Sequence, residues 1–223
     1  MQKPLENIKV ASKLRKYVLT GGTSVGKTTV IDILSKLGYA TFPEFSRAII
    51  NDELKKENGV LPWINPSKFQ DMYAKRQALE ENEIEKYLKQ NRTDEQFLNA
   101  IFMDRCIIDG IAFCQHTKVA IPQEIDEHVQ KIRSESADYD LIFVLEPLDQ
   151  YHFDEGRVLK PEESLAIQRI KKKSYKDYGY TLISVPFMSP KERVRFILEK
   201  VKEFEKTKYL NLKNLTKRKP TTS

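Results

Sequence analysis

The chain has 223 residues, of which 40% are hydrophobic and 31% charged, and it carries a formal net charge of +6. That length suits one full hydrophobic core, and the composition excludes disordered, collagen-like and disulfide-stapled classes. No apolar run is long enough to span a bilayer. Cys106 and Cys114 fit a reduced compartment, and neither they nor His116, His128 and His152 show zinc-ligand spacing.

Residues 1–16 are charged and lack the apolar centre of a signal peptide, so they read as an N-terminal extension of a cytoplasmic protein. Tyr17 to Thr20 then suits a buried strand. Immediately after it, Gly21-Gly22-Thr23-Ser24-Val25-Gly26-Lys27-Thr28 satisfies the phosphate-loop pattern G-x-x-x-x-G-K-[ST], followed by Thr29. Gly21 and Gly26 free the backbone to turn successive N–H groups inward as an anion nest, and a helix opening there adds its positive end. Lys27 is placed to reach the β- and γ-phosphates, and the Thr28 hydroxyl to ligate Mg²⁺. The expected ligand is a nucleoside triphosphate, ATP or GTP, bound along Gly21 to Thr29 with magnesium.

Val30, Ile33, Leu34 and Leu37 follow at helical spacing, and Gly38 closes that helix. Tyr39 to Phe42 reads as a second strand running into Pro43-Glu44, and Phe45 to Lys56 as a helix ended by Asn58-Gly59. Asn65 is an N-cap with Pro66 at the first position of a long helix to Gln90, striped by Phe69, Met72, Tyr73, Ile84, Tyr87 and Leu88. Phe97 to Met103 predicts a third strand ending on Asp104-Arg105, after which Ile107, Ile108, Ile111 and Cys114 recur helically.

Pro122 opens a further helix to Ser134, and Leu141 to Leu145 reads as a central strand. Pro161 with Glu162 and Glu163 opens a basic helix to Tyr178, capped by Gly179, and Thr181 to Val185 supplies the last strand. Ser189-Pro190-Lys191-Glu192 is a capping box for a helix striped by Val194, Ile197, Leu198, Val201 and Phe204. Residues 17–205 thus read as one α/β domain, and residues 206–223 as a basic, flexible tail. Strands alternating with helices predict a parallel sheet covered on both faces, with ligands at the carboxyl ends of its strands. The loop, Glu44 and Asp104-Arg105 all fall at such ends.

Several segments together resemble a known family, the single-domain predicted ATPases of the AAA-named P-loop group related to the ribosylnicotinamide kinase domain. They are the loop itself, Pro43-Glu44 with Arg47, Leu61-Pro62-Trp63 with Asn65-Pro66, Asp104-Arg105 with Asp109, Arg157, Tyr178-Gly179-Tyr180 and Glu192-Arg193-Val194. The resemblance runs from Tyr17 to Leu198. It implies a three-layer α/β/α sandwich of the P-loop NTPase class, with a mainly parallel five-stranded sheet and a lid-like helical segment. One position departs from it, since Cys106 stands where the family has glycine after Asp-Arg.

Asp104 sits where P-loop enzymes place a carboxylate for Mg²⁺. Glu44 reads equally as the base that small-molecule kinases use on an accepting hydroxyl and as an acid stabilised at a helix N-terminus. Arg47 and Arg105 are guanidinium forks suited to gripping an anionic or hydroxyl-rich substrate, although Arg47 also reads as a solvated helix residue. Asp109, one turn beyond Arg105, is placed to orient it. Trp63 reads as a wall of the acceptor pocket or as a hydrophobic plug. Arg157 and Arg169 flank the position of a closing lid, whereas Lys171 to Lys173 read as a charged surface.

The leading expectation is an ATP-dependent phosphotransferase acting on a nucleoside-like or other small hydroxyl compound. The alternative is a nucleotide-binding regulator or slow NTPase whose basic tail meets an anionic lipid or a protein partner. The chain has no nucleic-acid motif, and specific nucleic-acid binding is not expected.

Overall fold

The computed structural model describes residues 14–90, 100–147 and 161–217. Five parallel strands form one sheet in the order β2-β3-β1-β4-β5, with β1 Arg15–Gly21, β2 Ala40–Phe42, β3 Ala100–Asp104, β4 Leu141–Leu145 and β5 Leu182–Val185. Around it lie α1 Lys27–Lys36, α2 Ser46–Glu53, α3 Pro66–Gln90, α4 Asp109–Thr117, α5 Gln123–Ser134, α6 Pro161–Asp177 and α7 Pro190–Lys217. β1 lies between β3 and β4, with Leu19 opposite Asp104 on one side and Phe143 on the other.

Side chains alternate across a strand, so β1 and β3 feed two cores. Val18, Ile101 and Met103 pack with α3, α4 and α5 residues such as Ala74, Ile111 and Val129. On the opposite face, Tyr17, Leu19 and Phe102 pack with Val30 and Leu34 of α1 and Val194 and Ile197 of α7. This is the expected α/β/α sandwich, with every paired strand parallel.

Local signals account for most boundaries. The Asn65 side chain accepts the Lys68 N–H at 3.1 Å, as an N-cap should. Ser189 and Glu192 form a reciprocal capping box, with the Ser189 N–H on Glu192 at 3.0 Å and the Glu192 N–H on Ser189 at 3.4 Å. Gly38, at φ +90°, ends α1 in a Schellman turn in which Tyr39 N–H reaches Leu34 O at 3.2 Å and Gly38 N–H reaches Ser35 O at 2.9 Å.

Two expected helix faces differ. Leu37 is 58% exposed because the chain turns away there, and Ile31 joins Val30 and Leu34 inside instead. Along α3, Tyr87 faces solvent, while Gln70, Gln77, Glu81 and Glu85 are buried. α7 carries helical backbone on to Lys217, through the stretch that reads as a tail from its composition. Among the described residues no helix is long and apolar enough to cross a membrane.

Candidate active site

Three successive strand ends meet beside the start of α1. The loop leaving β1 is built on left-handed backbone, with Ser24 at φ +65° and Gly26 at φ +84°. A Cβ on Gly21 would stand 2.8 Å from Leu145 O, and one on Gly22 would stand 2.6 Å from Ser164 Oγ. Close approach therefore calls for glycine at both positions, and at Gly21 the backbone, at φ +138°, calls for it as well. Lys27 follows, buried, with its ammonium donating to Gly22 O at 2.6 Å.

Thr28, in the first turn of α1, donates to Asp104 Oδ2 at 3.2 Å. Asp104 Oδ1 and Ser24 Oγ are buried and have no protein partner. A carboxylate oxygen left open beside a threonine hydroxyl and a phosphate loop matches what Mg²⁺ takes from a protein, which is one carboxylate while waters and phosphates supply the rest. Thr28 and Asp104 are the residues that would hold it.

Arg105 adopts φ +73°, a conformation uncommon for a side chain with a Cβ, and its N–H donates to Leu19 O at 2.9 Å. The bend aims its guanidinium at Glu44, 3.1 Å away, and over the Phe113 ring at 5.6 Å. Glu44 also accepts a hydrogen bond from Ser46. Arg105 Nε remains unpartnered.

Charge in this site is tuned by burial. Desolvation, with Arg105 and Lys171 nearby, lowers Lys27 from 10.5 to about 7, while Asp104 and Glu44 oppose the shift. Burial raises Asp104 above the usual carboxylate range despite Lys27 and Arg105. Burial also works against ionised Glu44, but Arg105 and the Ser46 hydroxyl overcome it and hold that carboxyl low.

The family model described as an AAA domain matches residues 16–193. The chain belongs to that family. No curated protein matches it. Among solved structures, it is similar to a deoxyadenosine kinase from M. mycoides, with a TM-score of 0.54, 15% identity and coverage of 84% of this chain and 99% of that one. NadR in complex with NR aligns at a TM-score of 0.58 and 17% identity over 85% of this chain, which spans 51% of NadR. Thymidylate kinase from Ehrlichia chaffeensis gives a TM-score of 0.57 at 12% identity, covering 85% of this chain and all of that one. These likenesses establish the P-loop kinase-like fold.

In this AAA-domain chain the residues singled out from sequence separate into two groups. Lys27, Thr28, Glu44, Asp104 and Arg105 are brought together. Arg47 faces solvent on α2, Arg169 does so on α6, and Trp63 is 57% exposed. Arg157 lies outside the described residues. Asp109 is 1% exposed, and its carboxylate accepts from Thr20 Oγ1 at 2.6 Å, from the Cys106 N–H at 3.2 Å and from Tyr175. It braces the Arg105 turn through backbone and is enclosed by protein groups. Cys106 is fully buried with Sγ 3.1 Å from Tyr175 Oη, and the positive φ falls on Arg105, so a Cβ at position 106 is accommodated.

Lys171 corrects the expectation of a charged surface for residues 171–173. It is 1% exposed, and its Nζ lies 2.8 Å from Asp109 Oδ1 and 3.1 Å from Gly21 O. Lys172 and Lys173 do lie nearer solvent, paired with Glu146 and Asp177. The signal for burial lies in phase, because Ile167, Lys171 and Tyr175 recur at i, i+4, i+8 and all three are buried. Arg193, to which sequence spacing gives no role, is 1% exposed and donates to Val25 O and, at 2.9 Å, to Glu146 O.

Proposed function

We propose that the chain is a Mg²⁺-dependent, ATP- or GTP-using phosphotransferase acting on a nucleoside-like or other small hydroxyl acceptor. The observation that carries this reading is the Glu44–Arg105 pair, held beside Lys27 and Asp104 at adjoining strand ends. A pure nucleotide switch has no need of an ionised carboxylate facing the phosphate loop. The names of the similar structures, two nucleoside or nucleotide kinases and a protein bound to NR, point to the same acceptor class.

In this reading the loop amides and Lys27 hold the β- and γ-phosphates, and Thr28 with Asp104 would hold the metal. Bound Mg²⁺ would neutralise phosphate charge. Glu44, kept ionised by Arg105, takes the acceptor's hydroxyl proton as that oxygen attacks the γ-phosphorus, and the bond from phosphorus to the β,γ-bridging oxygen breaks to release the nucleoside diphosphate. Arg105 then offers its remaining donors to acceptor or phosphoryl oxygens. Arg47 and Trp63 enter as outer contacts of the acceptor, and Arg157 as a lid cation.

The test is γ-phosphate transfer from Mg-ATP or Mg-GTP to a panel of nucleosides and small polyols. Glu44→Gln is expected to lower turnover by about 10²–10⁴-fold while leaving nucleotide affinity within a few-fold. Nucleotide binding with no acceptor-stimulated turnover anywhere in the panel would overturn the phosphotransferase and favour a switch.

A further inference from the structure

One face of α6 runs along the back of the phosphate loop, and three of its buried polar residues, Ser164, Gln168 and Lys171, engage successive residues of it. Ser164 Oγ donates to Thr23 O at 3.1 Å. Gln168 accepts the Gly22 N–H at 2.9 Å and donates to Glu146 at 3.0 Å. Lys171 donates to Gly21 O at 3.1 Å and to Asp109 at 2.8 Å, and Tyr175 donates to the same carboxylate. The spacing 164, 168, 171, 175 is that of a single helical stripe.

We propose that Lys171 is a positioning residue of the nucleotide site, tying the loop's first carbonyl to the Asp109 turn so that donor and acceptor halves keep one register. The inference rests on the phosphotransferase reading given above. Asp109 is the other end of the tie. It accepts the Cys106 N–H, which fixes the bend that aims Arg105 at Glu44, and the Thr20 hydroxyl, one residue before Gly21. A single ammonium thereby joins the peptide that shapes the phosphate nest to the turn that carries the acceptor-side guanidinium.

A surface role does not account for this placement. A buried ammonium is costly unless its donors are met, and here two oxygens and the Phe113 ring, 5.3 Å from Nζ, surround it. Lys172 and Lys173 show that the same helix had exposed positions for charge.

Calorimetric titration with Mg-ATP and Mg-GTP at neutral pH, set beside thermal melts of the same proteins, separates positioning from mere stability. Folded Lys171→Met is expected to bind nucleotide at least tenfold more weakly, and so is Asp109→Asn, which removes the other end of the tie. The double variant should lose little more than either alone, because both cut one connection. Losses that add in the double variant, or a folded Lys171→Met protein binding within twofold of the parent, would overturn the proposal.

If Lys171→Met does not fold, Lys171→Gln removes the charge but keeps a donor and carries the same readout. Failure of both to fold would assign Lys171 to stability and reject a positioning role. Should the parent protein bind neither nucleotide, the functional reading itself fails, and that is seen before any variant is titrated.

Discussion

Two clusters of buried polar side chains lie on either side of Cys106, and they are finished differently. Glu81 of α3 is 2% exposed and is met from four directions, by Gln77 Nε2 at 2.9 Å, the Ile107 N–H at 3.0 Å, His128 Nε2 at 3.1 Å and Tyr139 Oη at 2.6 Å. At the strand ends, Asp104 is just as buried, yet one oxygen has no partner, and Arg105 Nε and Ser24 Oγ share that condition. A closed network adds rigidity, whereas an open one keeps a cost that a ligand can relieve. Burial and charge alone do not distinguish a site from a structural knot; the unmet valences do.

The largest effect that bears on this contrast is at the closed cluster. Glu81→Ala strands the Ile107 N–H, the Tyr139 hydroxyl and His128 in the interior, and is expected to cost about 3 kcal/mol or more of unfolding free energy. Burial opposes its ionisation, but His128, Tyr139 and Gln77 more than compensate and hold Glu81 below the ordinary carboxylate value. Its contribution is therefore full above the unfolded value of about 4.3 and is lost as pH falls through the lower folded value. Denaturant melts at pH 7 and pH 3 check both statements. A variant that melts like its parent at pH 7 would break the comparison.

A smaller effect concerns Lys27 in the open cluster. Its amine, lowered to about 7, is mostly neutral in the free protein above that pH, whereas a bound polyphosphate favours the charged form. Binding must then take up a proton, and affinity should fall by up to about tenfold, or about 1.4 kcal/mol, for each pH unit above 7. Calorimetry in buffers of different ionisation enthalpy reads this uptake directly. Binding heats that are independent of buffer at pH 8 would show that Lys27 is already charged in the free site.

The difference between the clusters also explains what was legible in the sequence. The glycine-loop spacing, the acid and Asp-Arg pair at strand ends, and the capping box around Ser189 are local signals in which chemistry and chain position coincide. Lys27, Thr28, Glu44, Asp104 and Arg105 could be found that way. Glu81 and Lys171 are polar residues on faces that close only when α3, α4, α5 and α6 pack, and in isolation each reads as solvated helix. Asp109 was half legible. Its place near Arg105 was evident, but the partners that enclose it, Lys171 and Tyr175, lie far along the chain.

The smallest effect is the most discriminating, because one chemical change should have opposite signs in the two clusters. Burial raises Asp104 above its usual range, so its charge destabilises the fold at neutral pH even with Lys27 and Arg105 beside it. Asp104→Asn should therefore stabilise the free protein and raise its Tm. The same variant should lose the magnesium dependence of nucleotide binding. Glu81→Gln, equally isosteric, leaves an amide N–H facing the donors that its carboxylate had accepted, and should lower Tm. If both variants lower it, Asp104 Oδ1 is held by the fold rather than kept open for a cation. If Asp104→Asn alone raises it, the unmet oxygen marks where stability was given up for metal binding.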